Sequence, residues 1–229
     1  MQSIRNKTPI FNITPFTLLD YPDQIACIVW FAGCNMRCTY CYNPEIVMGK
    51  GKISYEKVLE FLESRKGILE GVVLSGGECT LHNQIIWLLK EIRKMGFLIK
   101  VDTNGSRPEM IRHLVALGLV DYFALDFKAL PNKFEIITGS NLFENFEHSL
   151  RFLIASEQKF EVRTTIHSDL ITPKDFEEMV GYLKLMKYAG TYYIQQFVND
   201  VPTLGNLNAS MHRLKSTDFA ASDMKIVFR

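Results

Sequence analysis

The sequence predicts an α/β fold, a partial (β/α)6 barrel left open on one side. Three observations carry this. Short runs of β-branched and aromatic residues alternate with longer segments of helical period. About six such pairs fit in the chain, fewer than the eight of a closed barrel. The polar residues most suited to chemistry fall just after the short runs, where a parallel βα architecture gathers its site.

The runs, in order, are 25–31, 71–76, 97–103, 121–127, 160–166 and 191–197, each fit to be a buried parallel strand. Helices are expected over 54–65, with Ser54 as N-cap; 83–95; 107–117, with Pro108 in its first turn; 143–156; and 173–187, entered through Thr172 and Pro173. In the second of these, Ile85, Ile86, Leu88, Leu89 and Ile92 form one broad apolar face, opposite Lys90, Glu91, Arg93 and Lys94. Residues 1–24 read as a lead with turn signals at Pro9, Pro15 and Asp20–Asp23. Residues 199–229 read as loop around Pro202 and Gly205, with a short helix and a final strand in MKIVFR. No hydrophilic linker divides the chain, so a single domain over 1–229 is expected, its βα core over 25–198.

At 229 residues and 47% hydrophobic content the chain can bury a sizeable core. Its 26 basic and 25 acidic residues are interspersed, giving a net charge of +1 and no field to attract nucleic acid or anionic lipid. The N-terminal stretch lacks the apolar core of a secretory signal, and no run of about 18 apolar residues suits a membrane span. The expected setting is the cytoplasm, with neither nucleic acid nor membrane as partner. Five cysteines, three of them at Cys34, Cys38 and Cys41, suit metal binding in a reducing compartment better than a disulfide framework.

Three thiolates within eight positions can hold three corners of an iron-sulfur cubane and leave one iron open. The same spacing suits a zinc knuckle completed by Cys27, Cys79 or a histidine, and three ordinary buried cysteines are also compatible with it. The neighbouring residues add a resemblance. CNMRCTYC (34–41), SGGE (75–78), DTNG (102–105), LDFK (125–128) and VRTT (162–165) are similar to motifs of the radical S-adenosylmethionine enzymes. LDYPD (19–23) and CYNP (41–44) resemble the glycyl-radical activases within that group, and YYIQQF (192–197), with the short length, resembles above all the activator of the anaerobic ribonucleoside-triphosphate reductase.

The resemblance implies the open radical-SAM barrel and a 4Fe-4S cluster on Cys34, Cys38 and Cys41. Its open iron chelates S-adenosyl-L-methionine, whose reductive cleavage supplies a 5′-deoxyadenosyl radical. It further implies that Gly76 and Gly77 let backbone approach the cofactor, that Glu78 accepts from its ammonium, and that Asp102, Thr103 and Asn104 face the ribose. Asp126, Lys128 and Arg163 fall to the ribose and carboxylate, and Tyr40 and Tyr42 to the cluster and adenine surroundings. Each has an ordinary counterpart: a strand-to-helix turn at GGE, an Asn-Gly turn at 104–105, and an Asp126–Lys128 ion pair on one face of a strand. Two positions depart from the family, Cys79 where proline is usual and Tyr42 where activases often have histidine. His167 and the Gln195–Gln196 pair fall at strand ends, although a strand histidine is more often structural.

The partner implied is a glycyl-radical enzyme, the anaerobic ribonucleoside-triphosphate reductase, with a flavodoxin or ferredoxin-type electron donor. Alternatives are a pyruvate formate-lyase-type activase, a 7-carboxy-7-deazaguanine synthase-like enzyme, and a zinc or iron-sulfur binding module without activity.

Overall fold

A computed structural model describes residues 2–214 and 224–229. Among these residues, eight strands follow chain order in the sheet, which is open rather than closed. They are β1 (Ile10–Thr17), β2 (Ala26–Phe31), β3 (Gly71–Gly76), β4 (Leu98–Thr103), β5 (Tyr122–Asp126), β6 (Phe160–Ile166), β7 (Tyr192–Gln196) and β8 (Ile226–Phe228). The six expected strands are β2 to β7, each within one residue of its expected ends. No helix among the described residues is long and apolar enough to cross a membrane.

The helices are α1 (Gln2–Arg5), α2 (Pro44–Met48), α3 (Tyr55–Glu63), α4 (Ile85–Lys94), α5 (Pro108–Ala116), α6 (Pro131–Thr138), α7 (Phe143–Ala155) and α8 (Pro173–Leu185). All five expected helices are present, as α3, α4, α5, α7 and α8. Ser54 caps α3 by accepting from the Lys57 amide at 3.2 Å. Thr172 and Asp175 form a reciprocal capping box on α8, with Pro173 in its first turn. In α4, Ile85, Leu88, Leu89 and Ile92 are fully enclosed, as the apolar face requires.

The lead is corrected at β1, which pairs antiparallel with β2, with Ile13 opposite Val29. Pro15 is tolerated because β1 lies at the edge of the sheet, where one side of the strand needs no ladder bond. The sequence reading also missed α1, α2 and α6. Of the closing segment, 199–214 holds turns and no helix, and the rest of the expected short helix lies outside the described residues. The expected final strand is β8, parallel to β7.

The chain forms two compact units. The first comprises Met1–Asn35, Asn43–Thr103 and Glu109–Phe123; the second comprises Met36–Tyr42, Asn104–Pro108 and Ala124–Arg229. In the first, β2, β3 and β4 run parallel, with Val72, Val73 and Leu74 of β3 fully buried. In the second, β6, β7 and β8 run parallel, and Phe127, Phe134, Phe146 and Phe176 are enclosed in its core.

Candidate active site

In the first unit, β2 ends at Phe31 and leads into Cys34, and β3 ends in SGGE. Backbone bonds join these ends: the Gly77 amide donates to the Phe31 carbonyl and the Glu78 amide to the Gly33 carbonyl, both at 2.9 Å. Gly76 has φ 124°, and a Cβ on Gly77 would overlap the Gly33 carbonyl and press on Cys34 Cβ. Only glycine permits this approach. His82, following SGGE, places Nε2 3.0 Å from the Ala32 carbonyl and its ring against Phe31. Burial holds its pKa below the usual imidazole range.

Glu78 is buried, and its Oε1 accepts from the Thr80 amide at 3.1 Å, the Thr80 hydroxyl, and the Thr103 hydroxyl at 2.9 Å. Thr103, one of the expected ribose contacts, thus orients this carboxylate. Asp102 accepts from Ser75 Oγ at 3.2 Å and pairs with Lys100 at 3.1 Å. Lys100 is 1% exposed and also donates to the Asp20 carbonyl at 2.5 Å. Sequence reasoning missed it; the signal available was its i, i+2 spacing from Asp102 on a strand, which puts both side chains on one face. Cys79 is enclosed, with Sγ 3.4 Å from the Asp102 carbonyl, and burial pushes its thiol well above the usual range. This buried thiol stands at the position where the family resemblance has proline.

The second unit holds Cys38, Tyr40, Cys41, Tyr42, Asn104, Asp126, Lys128 and Arg163. Arg163 brings Nε and Nη2 each to 2.9 Å from Asp126 Oδ1, and Lys128 Nζ donates to Oδ2 at 3.0 Å. Burial pushes the Asp126 carboxyl up, but Arg163 and Lys128 outweigh it and hold the group below the usual carboxylate range. Lys128 also lies over the Tyr40 ring, 5.8 Å from its centroid. Burial pushes the Cys38 thiol up, with Lys128 opposing.

Tyr40 is buried. Tyr42 stacks on Phe197 with centroids 5.3 Å apart, and its hydroxyl accepts from the Val198 amide at 2.7 Å. Asn104 Oδ1 accepts from the Ser106 amide at 2.9 Å, a turn within its own loop. His167 is enclosed, with Nε2 2.9 Å from the Asn208 carbonyl and its ring edge-on to Phe197, the structural reading that a strand histidine favours.

A family model described as the radical SAM superfamily matches residues 28–191. The chain belongs to that superfamily. It is 29% identical over 198 residues, covering 83% of this chain and 80% of the relative, to a Methanocaldococcus jannaschii protein named "Putative glycyl-radical enzyme activating enzyme MJ1227". It is 31% identical over 142 residues, 57% of each chain, to the pyruvate formate-lyase-activating enzyme of Clostridium pasteurianum. In structure it is similar to Streptococcus suis SuiB bound to S-adenosylmethionine, with TM-score 0.68 and 12% identity over 88% of this chain and 51% of that one. The chain thus spans about half the length of that neighbour.

Radical SAM enzymes use a 4Fe-4S cluster on three cysteines together with S-adenosylmethionine. In donor chemistry the cysteines of this radical SAM chain suit the cluster, and its glycine turn suits close backbone approach. Cys34, Cys38 and Cys41 are thiols rather than disulfide sulfurs, soft donors of the kind that hold iron-sulfur clusters. Where SGGE meets the cysteine loop, backbone comes to backbone without an intervening side chain.

Proposed function

We propose that this chain is a radical SAM activase that installs a glycyl radical on the anaerobic ribonucleoside-triphosphate reductase. The observation that carries the reading is the CNMRCTYC triplet in a chain similar over 83% of its length to a protein named for glycyl-radical enzyme activation. YYIQQF supports the reductase as partner, and the LDYPD lead supports a glycyl-radical activase more generally. A pyruvate formate-lyase-type activase is the second reading, favoured by the 31% identity to the Clostridium protein.

In the proposed site Cys34, Cys38 and Cys41 hold the cluster. When bound, the cluster and S-adenosylmethionine supply a one-electron reductive cleavage whose product abstracts hydrogen from the partner's glycine. The chain's own groups bind and orient. Gly76 and Gly77 admit backbone close to the cofactor, and Thr80 and Thr103 fix the Glu78 carboxylate as an acceptor for the methionine ammonium. Asp102, Thr103 and Asn104 are assigned to the ribose. Asp126 holds Lys128 and Arg163 as a cationic pair suited to the methionine carboxylate. Tyr40 and Tyr42 bracket Cys41 in sequence and supply aromatic surface near the cluster. A flavodoxin or ferredoxin-type protein is proposed as donor, and the cytoplasm as setting.

The test is anaerobic reconstitution with iron and sulfide, reduction, and assay of 5′-deoxyadenosine beside Cys38→Ala. The loaded protein is then mixed separately with the reductase and with pyruvate formate-lyase, and glycyl radical is counted by electron paramagnetic resonance. Radical on the reductase alone supports the proposal, and radical on the lyase alone supports the second reading. Deoxyadenosine with radical on neither removes both partners, and tight zinc binding without cleavage removes the radical reading.

A further inference from the structure

The second half of the cysteine loop, residues 36–42, is held from two sides by elements far away in sequence. On one side is the last turn of α6, whose final carbonyls have no partner within the helix. The Arg37 amide donates to the Thr138 carbonyl at 2.7 Å, and the Thr39 amide to the Ile137 carbonyl at 2.9 Å. On the other side lies the segment after β7. There the Gly205 amide donates to the Thr39 carbonyl at 2.8 Å, the Leu204 amide to the Cys41 carbonyl at 2.9 Å, and the Val198 amide to the Tyr42 hydroxyl at 2.7 Å.

That segment has structure of its own. Thr203 is buried, its hydroxyl accepts from the Leu207 amide at 3.0 Å, and its carbonyl accepts from the Asn206 amide at 3.1 Å. Yet Val198 and Val201 are 54% and 40% exposed, so apolar burial does little to seat it. Its grip on the loop is chiefly three hydrogen bonds. At Gly205 the approach is close enough that a Cβ would stand 2.8 Å from the Thr39 carbonyl oxygen and 2.9 Å from Thr39 Cα. Contacts that short against backbone cannot be relieved by turning a side chain.

We propose that residues 198–207 are a strap that sets the backbone bearing Cys38 and Cys41, with Gly205 and Tyr42 as its positioning residues. This gives Tyr42 a role that the sequence did not show: its ring rests on Phe197 while its hydroxyl takes the Val198 amide, joining the C-terminal end of the loop to the residues after β7. The consequence for a cluster rests on the cysteine assignment proposed above; the strap itself does not.

The test uses the full-length, metal-free protein, alkylated with iodoacetamide and read cysteine by cysteine by mass spectrometry, for the parent, Gly205→Val and Tyr42→Phe. Gly205→Val is expected to speed reaction at Cys38 and Cys41 roughly threefold to tenfold, the factor that loss of about one hydrogen bond implies, with Cys34 unchanged. Tyr42→Phe keeps the stacking ring, removes one acceptor, and should give a smaller rise at the same two thiols. In iron-loaded protein both variants should release iron to a chelator faster than the parent.

Unchanged rates at Cys38 and Cys41 in both variants overturn the strap, as does a uniform rise that includes Cys34 and the buried Cys27. Faster alkylation with unchanged iron release overturns its role in spacing the ligands. Should Gly205→Val fail to fold, Tyr42→Phe decides. If the parent takes up no iron, the cysteine assignment fails while the alkylation rates still judge the strap.

Discussion

The ends of β4 and β5 carry the same two residue types at the same spacing in opposite order, Lys100-Val101-Asp102 and Asp126-Phe127-Lys128. In each, the i, i+2 spacing puts ammonium and carboxylate on one face, and the pairs lie at 3.1 and 3.0 Å. Order decides what else the lysine does. Lys100 precedes its partner, lies deeper in the strand, is 1% exposed, and is tied to the Asp20 carbonyl. Lys128 follows its partner beyond the carboxyl end of β5, is 16% exposed, and leans over Tyr40. One cation is absorbed by the fold. The other stands at the strand end where α/β sites gather, beside a second cation, Arg163.

The contrast breaks first under removal of each carboxylate. Asp102→Ala leaves the Lys100 ammonium enclosed without its carboxylate while it still donates to the Asp20 carbonyl, and should cost about 4 kcal/mol in urea denaturation, within the range for breaking a buried pair. Asp126→Ala exposes two cations to each other, but its side chain is 23% exposed and solvent screens part of the loss, so about 3 kcal/mol is expected. A larger cost at Asp126 would show that Lys100 is the better solvated of the two.

Asp126 adds a pH dependence of definite sign. Its folded pKa lies below the unfolded carboxylate value of about 3.9, so its contribution is fully present above that value and is lost as pH falls through the folded one. The stability gap between the parent and Asp126→Asn should therefore hold from neutral pH down to about pH 4 and narrow below it. A gap that widens on acidification would reverse the assignment.

Removing the lysines sharpens the comparison. Lys128→Met leaves Asp126 with Arg163 and should cost about 2 kcal/mol, the scale of one hydrogen bond to a charged group. On the proposed function it should also weaken S-adenosylmethionine binding about tenfold by isothermal titration, as loss of one charged contact implies. Lys100→Met should lower stability without that direct loss. Equal effects on binding would mean that the two lysines are not divided between fold and site.

Much of this arrangement was legible in the sequence because it is local. Strands such as GVVLSG announce themselves as unbroken apolar runs, and the CNMRCTYC spacing needs no tertiary information. β1 was hidden by Pro9 and Pro15, which mark turns in general but are accepted at a sheet edge. The side-chain links that were missed are long-range. Lys100 meets Asp20 across 80 positions, and Tyr42 meets Val198 across 156, so neither link leaves a periodic trace. Asn104 shows the opposite limit: Asn-Gly spells a turn from sequence alone, and its side chain indeed serves that turn.

The smallest test separates the neutral partner of Asp102 from the charged one. Ser75 Oγ lies 3.2 Å from Oδ2, a long bond, while Lys100 Nζ lies 3.1 Å from Oδ1 and carries the charge. Ser75→Ala removes only the hydroxyl and leaves the ion pair intact, so about 1 kcal/mol is expected. In the double variant with Lys100→Met the serine should matter more, because the competing ammonium is then gone, and the excess over additivity measures how far the ammonium had masked it. If Ser75→Ala alone costs as much as Asp102→Ala, the hydroxyl rather than the buried lysine holds Asp102. The mirrored spacing at β4 and β5 would then be a likeness of sequence without a likeness of energetics.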